Sequence, residues 1–428
     1  LPLRPQALQA ATMALAAATC LPAHAQDLID RLGLGGDFRE VYESSRHPVF
    51  GLDRPSQDDR FLHRLQLHSD IRFGTTSRAY VELVSGRTSG WGGAPAGTQD
   101  DSLDILQAFA ETRFTPGGQP LDLRAGRQEL SFGSSRLVSV REGPNVRRSF
   151  DGVRGTWTLA GPMRADVFAV RPVAPRVGSF NDRSSDAEAF WGAYLADIPT
   201  ALSGMRADIY YLGLNRANAG FADGRAQERR HTVGARLFGK TGAADWNFEG
   251  AWQFGRFGTA DIRAWTLSSD SGYTAAALPL RPRFGLKADA ISGDRRAGDG
   301  RLGTFNALYP KLPYFSEANV AAPANLLDLQ PNITVSPRSD LQFNLGWNGL
   351  WKQARADAFY APPLVAVAGT AGLGSRYIGQ QWVVSGSWAA TKRVAVGANY
   401  VHFQPGAALR GVGGRAGDFL NLTVHVKF

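Results

Sequence analysis

Cysteine occurs once in this chain of 428 residues, at Cys20, and no stretch of 18 or more apolar residues follows the first 25 positions. With a single thiol, no intrachain disulfide framework and no cysteine-based metal site can form. Without a long apolar run, no helix can cross a bilayer, since spanning takes about 20 predominantly apolar residues. Catalytic signatures are also missing. The histidines, among them His47, His63, His68, His231, His402 and His425, have no His-Glu-x-x-His spacing. No Gly-x-Ser-x-Gly elbow is found, and no glycine-rich loop ends in Lys-Ser or Lys-Thr. No cofactor is expected, and the one catalytic alternative is a hydrolase site inside a barrel built on His68 with a serine and an acid.

What is there begins with a leader. Arg4 precedes an Ala-rich run from Ala7 to Leu21 that is too short to span a bilayer, and Ala23-His24-Ala25 suits signal-peptidase cleavage before Gln26. Residues 1–25 are therefore expected to be a signal peptide and residues 26–428 the mature domain. Secretion argues against nucleic acid as a partner. At the other end, Leu420, Leu422, Val424, Val426 and Phe428 alternate with Asn421, Thr423, His425 and Lys427. A final strand of a soluble sandwich would alternate too. An apolar outer face, a polar inner face and a terminal aromatic together fit the last strand of a Gram-negative outer-membrane β-barrel, with the aromatic read by barrel-assembly machinery.

The same two-residue period recurs along the chain. Expected strands are 36–44, 61–73, 77–85, 103–114, 121–130, 151–160, 163–173, 189–197, 205–214, 229–239, 245–255, 261–273, 282–292, 326–336, 340–352, 376–388, 392–403 and 417–428. The count is eighteen, with sixteen as the alternative. The clearest case sets Trp246, Phe248, Trp252 and Phe254 against Asn247, Glu249, Ala251 and Gln253. The composition agrees: 49 Gly, 24 Phe, 10 Trp and 11 Tyr accompany a mean hydropathy of −0.21. The fold class expected is all-β, a transmembrane antiparallel barrel acting as a monomeric pore. Barrels of this size leave an aqueous channel rather than a packed core.

Lysine and arginine outnumber acids 47 to 38, a formal charge of +9 that favours anionic partners. Lumen faces of the expected strands carry Arg64, His68, Asp70, Arg72, Glu82, Glu111, Arg113, Arg124, Arg154, Lys287 and Asp289. Other arginines are free to meet lipopolysaccharide phosphates from outer loops. The connection 293–325, with Tyr309, Tyr314 and Phe315, is long enough to fold into the pore as a filter or gate. Its rings would then be able to stack on sugar faces. Asp294 and Asp299-Gly300 lack the regular acidic spacing of a calcium-binding loop.

The block Leu121-Asp122-Leu123-Arg124-Ala125-Gly126-Arg127-Gln128, continued by Arg141-Glu142-Gly143-Pro144-Asn145-Val146-Arg147-Arg148-Ser149-Phe150-Asp151-Gly152-Val153-Arg154, resembles the alginate-export family of outer-membrane porins. Similar stretches include Ala189-Phe190-Trp191-Gly192, Gly285-Leu286-Lys287-Ala288-Asp289 and Pro323-Ala324-Asn325-Leu326. The resemblance implies an eighteen-stranded barrel that passes a polyuronate outward from the periplasm by passive diffusion, with periplasmic export proteins beneath it. Guanidinium groups hold carboxylates in paired hydrogen bonds, so a ladder of weak arginine sites suits such a chain. The expected ladder is led by Arg127, then Arg147 and Arg148 with Asp151 orienting one of them, then Arg141, Arg154 and Arg124, with Arg64, Lys287 and Asp289 also lining the pore. The alternative for residues 136–150 is an exposed loop whose arginines meet solvent or lipid phosphate. The alternative function is uptake of small organic acids or oligosaccharides.

Overall fold

The computed structural model describes residues 31–52, 57–90 and 95–428. The expected leader lies outside the described residues. Eighteen long antiparallel strands follow one another: β1 Leu32–Arg46, β2 Gln57–Phe73, β3 Ser77–Ser89, β4 Asp101–Phe114, β5 Leu121–Gln128, β6 Phe150–Thr158, β7 Arg164–Ala174, β8 Glu188–Pro199 and β9 Met205–Phe221 come first. The second half holds β10 Gly224–Thr241, β11 Ala244–Phe257, β12 Ala260–Thr274, β13 Arg283–Ile291, β14 Leu326–Arg338, β15 Leu341–Trp351, β16 Tyr377–Trp388, β17 Val394–Pro405 and β18 Gly417–Lys427. All eighteen expected strands are present, which sets the sixteen-stranded alternative aside.

The sheet closes on itself. β1 pairs with β2 on one side and with β18 on the other, from Asp37↔Lys427 to Arg46↔Asp418. The terminal Phe428 belongs to that seam, exchanging backbone hydrogen bonds with Gly36 at 2.9 and 3.0 Å. Closure removes the unpaired edge that a membrane would not tolerate. Alternation then divides the wall. Phe248 and Trp252 are about half exposed on the outside, whereas Glu249, Ala251 and Gln253 are buried toward the lumen. Leu65 and Leu67 likewise face out while Arg64 and Gln66 face in.

Most connections at the rim where β1 begins and β18 ends are short, as at residues 74–76, 242–243 and 339–340. By the rule that periplasmic turns are short, this is the periplasmic rim. Three connections at the other rim are long, at residues 129–149, 292–325 and 352–376. These do not stand out in solvent. Leu130, Phe132, Leu137, Val138, Phe305, Leu308, Tyr309, Phe315, Val320 and Phe359 are buried and pack with wall residues Phe168, Phe190, Tyr194 and Tyr210 in one apolar cluster. The expectation of an aqueous channel without a packed core is therefore corrected. The wall leaves the space open, but the long loops carry enough apolar side chains to fill much of it.

Candidate functional site: an arginine-lined constriction

Residues 129–149 cross the lumen. On one side Glu142 receives Arg64 of β2 at 2.5 Å, and its carbonyl accepts from Arg39 of β1 at 2.6 Å. On the far side Ser134 donates to Glu249 of β11 at 2.5 Å and Arg136 pairs with Asp289 of β13 at 2.9 Å. With eighteen strands in order, β2 and β11 stand on opposite walls. The 309–312 stretch lies alongside in parallel, through Ser139 N–H to Tyr309 O (2.9 Å), Tyr309 N–H to Leu137 O (2.9 Å) and Gly143 N–H to Leu312 O (3.0 Å). The alternative of an exposed 136–150 loop is thereby excluded. Its arginines point into the barrel.

Arg127 and Asp151 sit directly opposite each other in the β5–β6 register. Two hydrogen bonds, at 2.8 and 3.1 Å, make the pair bidentate, and Arg127 also donates to the carbonyls of Ile105 and Asp182. Flanking glycines permit this. Gly126 and Gly152 are also cross-strand partners, at φ 129° and 154°, and a Cβ on either would lie 2.3 Å from a neighbouring carbonyl oxygen. Only glycine meets that backbone cheaply. Asp151 thus orients Arg127, which corrects the expectation that it serves Arg147 or Arg148.

Arg147 has other acids. It bonds Glu129 at 2.7 Å and Glu142 at 3.2 Å. Burial alone would raise the Glu142 carboxyl, but Arg64 and Arg147 outweigh it and hold it below the usual carboxylate range. Arg64 is almost wholly buried beneath Glu142, and so is closed to a passing solute. Toward the periplasmic rim, Arg124 shares Glu111 with Arg78 (2.7 and 2.8 Å), and Arg154 holds Asp166 at 2.7 Å. Both line a cavity of about 450 Å³. Lys287 lies 3.8 Å from Asp270, and Asp289 is taken by Arg136. Most of the expected ladder is therefore already paired within the protein.

Arg141 and Arg148 differ. Neither guanidinium has a carboxylate within ion-pair distance among the described residues, and one nitrogen of each is buried without a hydrogen-bond partner. Burial pushes Arg141 down to about 10, and burial together with Arg141 pushes Arg148 down to about 9, so both stay cationic at neutral pH. Arg148 lies over the Tyr309 ring, 4.9 Å from its centre. Both line a cavity of about 760 Å³ near the outer rim with Arg147, Arg216 and Arg225, where Glu188 is the sole acid among the described residues. Across the bridge lies a second cavity of about 770 Å³ with charges of both signs, including Arg39, Glu43, Lys311 and Glu317. The outer compartment is thus cationic on one side only.

Tyr309 does not present a free face for stacking on sugar. Its ring packs on Phe150 and Phe190, at 5.2 and 4.9 Å, and its hydroxyl donates to Glu188 at 2.7 Å. Tyr314 packs on Phe315 in the same way. His68 rests against the Tyr80 ring at 5.7 Å, with no serine or acid hydrogen-bonded to it among the described residues. Arg136, Glu142 and Arg216 are organising residues that the period of two could not reveal, since two of them lie in a loop and the third pairs across strands with Glu188 at 3.1 Å.

The alginate-export family model matches residues 30–423. No curated protein sequence matches. Among solved structures, OccK3 (OpdO) of Pseudomonas aeruginosa is similar with a TM-score of 0.63 at 12% identity, covering 94% of this chain and 97% of that one. OccAB1 of Acinetobacter baumannii gives 0.62 at 12% identity over 93% and 96%. OpdK of Pseudomonas aeruginosa, solved with vanillate, gives 0.57 at 10% identity over 94% and 99%. At such identities these likenesses establish the fold. Taken with the closed eighteen-stranded wall and the family match along almost its whole length, the chain belongs to the alginate-export family and is an outer-membrane β-barrel porin.

Proposed function

We propose that this porin is a passive, anion-selecting channel whose constriction favours small carboxylate-bearing solutes. The observation that carries the reading is the pair of cations without an acidic partner among the described residues, Arg141 and Arg148, lining a cavity of about 760 Å³ beside a loop that crosses the lumen. A guanidinium without an internal acid is available to a solute carboxylate, and paired hydrogen bonds give it orientation as well as charge. The cavity volume falls in the ordinary range for small-molecule sites. OpdK, a barrel of the same fold, was solved with vanillate, a small aromatic carboxylate. Direction follows the solute gradient, since a passive pore has none of its own.

Outward passage of an alginate-like polyuronate is the second reading, supported by the family match over residues 30–423. It would use the same arginines in series, with periplasmic export proteins delivering the chain from below. Solute size separates the two. In liposome-swelling assays on the refolded porin, monomeric uronate and aromatic carboxylates are expected to enter quickly and uronate hexamers slowly or not at all. Equal entry of monomer and hexamer would favour the polymer reading. Outside the barrel, exposed Arg229 and Arg256 oppose each other in register near the outer rim, with Arg263 beside Phe254 below them. That grouping supports lipopolysaccharide phosphate as a contact of the outer wall.

A further inference from the structure

Three carboxylates, from Asp101 and Asp104 of β4 and from Asp182 in the β7–β8 connection, converge with one oxygen of each within 4.8 Å of the others. In a regular strand, side chains three residues apart point to opposite faces. Here the β3–β4 register shifts between Val84↔Asp104 and Gly86↔Asp101. That bulge turns both aspartates to the same side, where their exposures are 0% and 2%. Asp182 arrives because residues 175–187 dock on β4, through Ser102 N–H to Gly178 O at 2.7 Å and Phe180 N–H to Leu103 O at 3.0 Å.

The three acids are not equally satisfied. Asp104 accepts from the backbone N–H groups of Ile105, Asn181 and Asp182 at 2.7 to 3.1 Å. Asp182 accepts from Arg176 N–H at 2.6 Å. Both oxygens of Asp101 are buried with no partner among the described residues. An ionised carboxylate sealed from water is costly unless a cation meets it. Arg127, a cation beside the group, comes within 3.8 Å of the Asp104 carboxylate and bonds the Asp182 backbone carbonyl, but is already committed to the Asp151 carboxylate. An all-oxygen, carboxylate-rich donor set without histidine or cysteine suits a hard divalent ion, above all Ca²⁺.

We propose that Asp101, Asp104 and Asp182 form a Ca²⁺-class cation site that fastens the 175–187 connection onto β4 beside the Arg127–Asp151 pair. It lies toward the rim with long loops, facing the exterior, where a weak site would be filled. Because Asp104 is already bonded and Arg127 is near, affinity belongs in the weak range of extracellular sites, about 10⁻⁴ to 10⁻³ M. An ion here would hold Asp104 in place, and through it one neighbour of Arg127.

The test is equilibrium dialysis of the refolded mature chain in detergent with radioactive Ca²⁺, alongside Asp101→Asn and Asp182→Asn. Heat-modifiability on gels, with and without a chelator, is read in parallel. Wild type is expected to bind one Ca²⁺ per chain, to lose it about tenfold more readily in each variant, and to melt higher with Ca²⁺ than with chelator. Absence of stoichiometric binding in wild type overturns the site, and that result needs no variant to fold. Binding unchanged in both variants also overturns it. So does an Asp101→Asn chain that matches or exceeds wild-type stability while wild type ignores Ca²⁺, since the pocket would then hold a protonated carboxyl.

Discussion

Replacing Arg141 and Arg148 together by methionine removes two unpaired charges and keeps most of the side-chain volume. A small anion in the cavity they line would sit about 5 Å from each guanidinium. Coulomb's law gives about 0.8 kcal/mol per charge at the dielectric of water and about 3 at an effective dielectric of 20. The cavity opens to water although the two guanidiniums are themselves largely buried, so the water value is the conservative one, and about 0.8 kcal/mol is roughly a fourfold change in anion occupancy per arginine. Two independent arginines give about 16-fold. The assay is the reversal potential across a planar bilayer under a tenfold KCl gradient, repeated with sodium galacturonate. At about 0.1 M salt the Debye length is about 10 Å, so a contact at 5 Å is little screened; near 1 M it falls to about 3 Å and the difference should shrink. Arg206→Met is the control, because Arg206 pairs with exposed Asp197 at 3.0 Å at the periplasmic rim. An anion preference unchanged in the double variant, or reduced equally by the control, would refute the assignment of selectivity to these arginines.

Three further outcomes follow from the same geometry. Asp151→Asn removes the bidentate acid from Arg127, and should raise anion preference while lowering stability by about 1.5–3 kcal/mol, the range for hydrogen bonds to charged groups; thermal melting and reversal potential measure the two effects. Arg148→Lys exchanges a guanidinium, pushed down to about 9 by burial and Arg141 and so still cationic to about pH 8, for an amine that starts lower and falls readily on burial, so the variant's charge is present at low pH and lost earlier as pH rises. Anion preference in that variant should decline between about pH 7 and 10 while wild type stays flat to at least pH 8; identical pH profiles would count against a buried site. Tyr309→Ala empties the space between Phe150, Phe190 and Arg148. A loss of about 3–5 kcal/mol is expected from such a cavity, with larger single-channel conductance, and unchanged current would mean the bridge does not limit the pore.

The wall was legible in the sequence because a strand with lipid on one side and water on the other must alternate at every residue. Trp246 to Phe254 did so without interruption, and Leu341 to Asn348 kept the same period up to the register shift at Leu350 and Trp351. The inward bridge was not, because Leu130, Phe132, Val138, Phe305 and Phe315 are buried by loops whose backbone has no period. Register across a long connection was equally hidden. Arg127 and Asp151 are 24 residues apart, and only the folded hairpin shows that they face each other. Arg148 stood out by residue type alone, yet its lack of an acid depends on Glu129 and Glu142 having turned to Arg147. The acidic cluster rests on a bulge in β4, a single shift of register that alternation cannot reveal.

The most direct test of the central claim is the single-channel current of the refolded chain in the presence of monomeric uronate on one side. The account gives an anion-selective current that flickers with added uronate, carries it across, and loses the flicker in the Arg141→Met/Arg148→Met variant. A cation-selective current, or one indifferent to uronate in both chains, would contradict it.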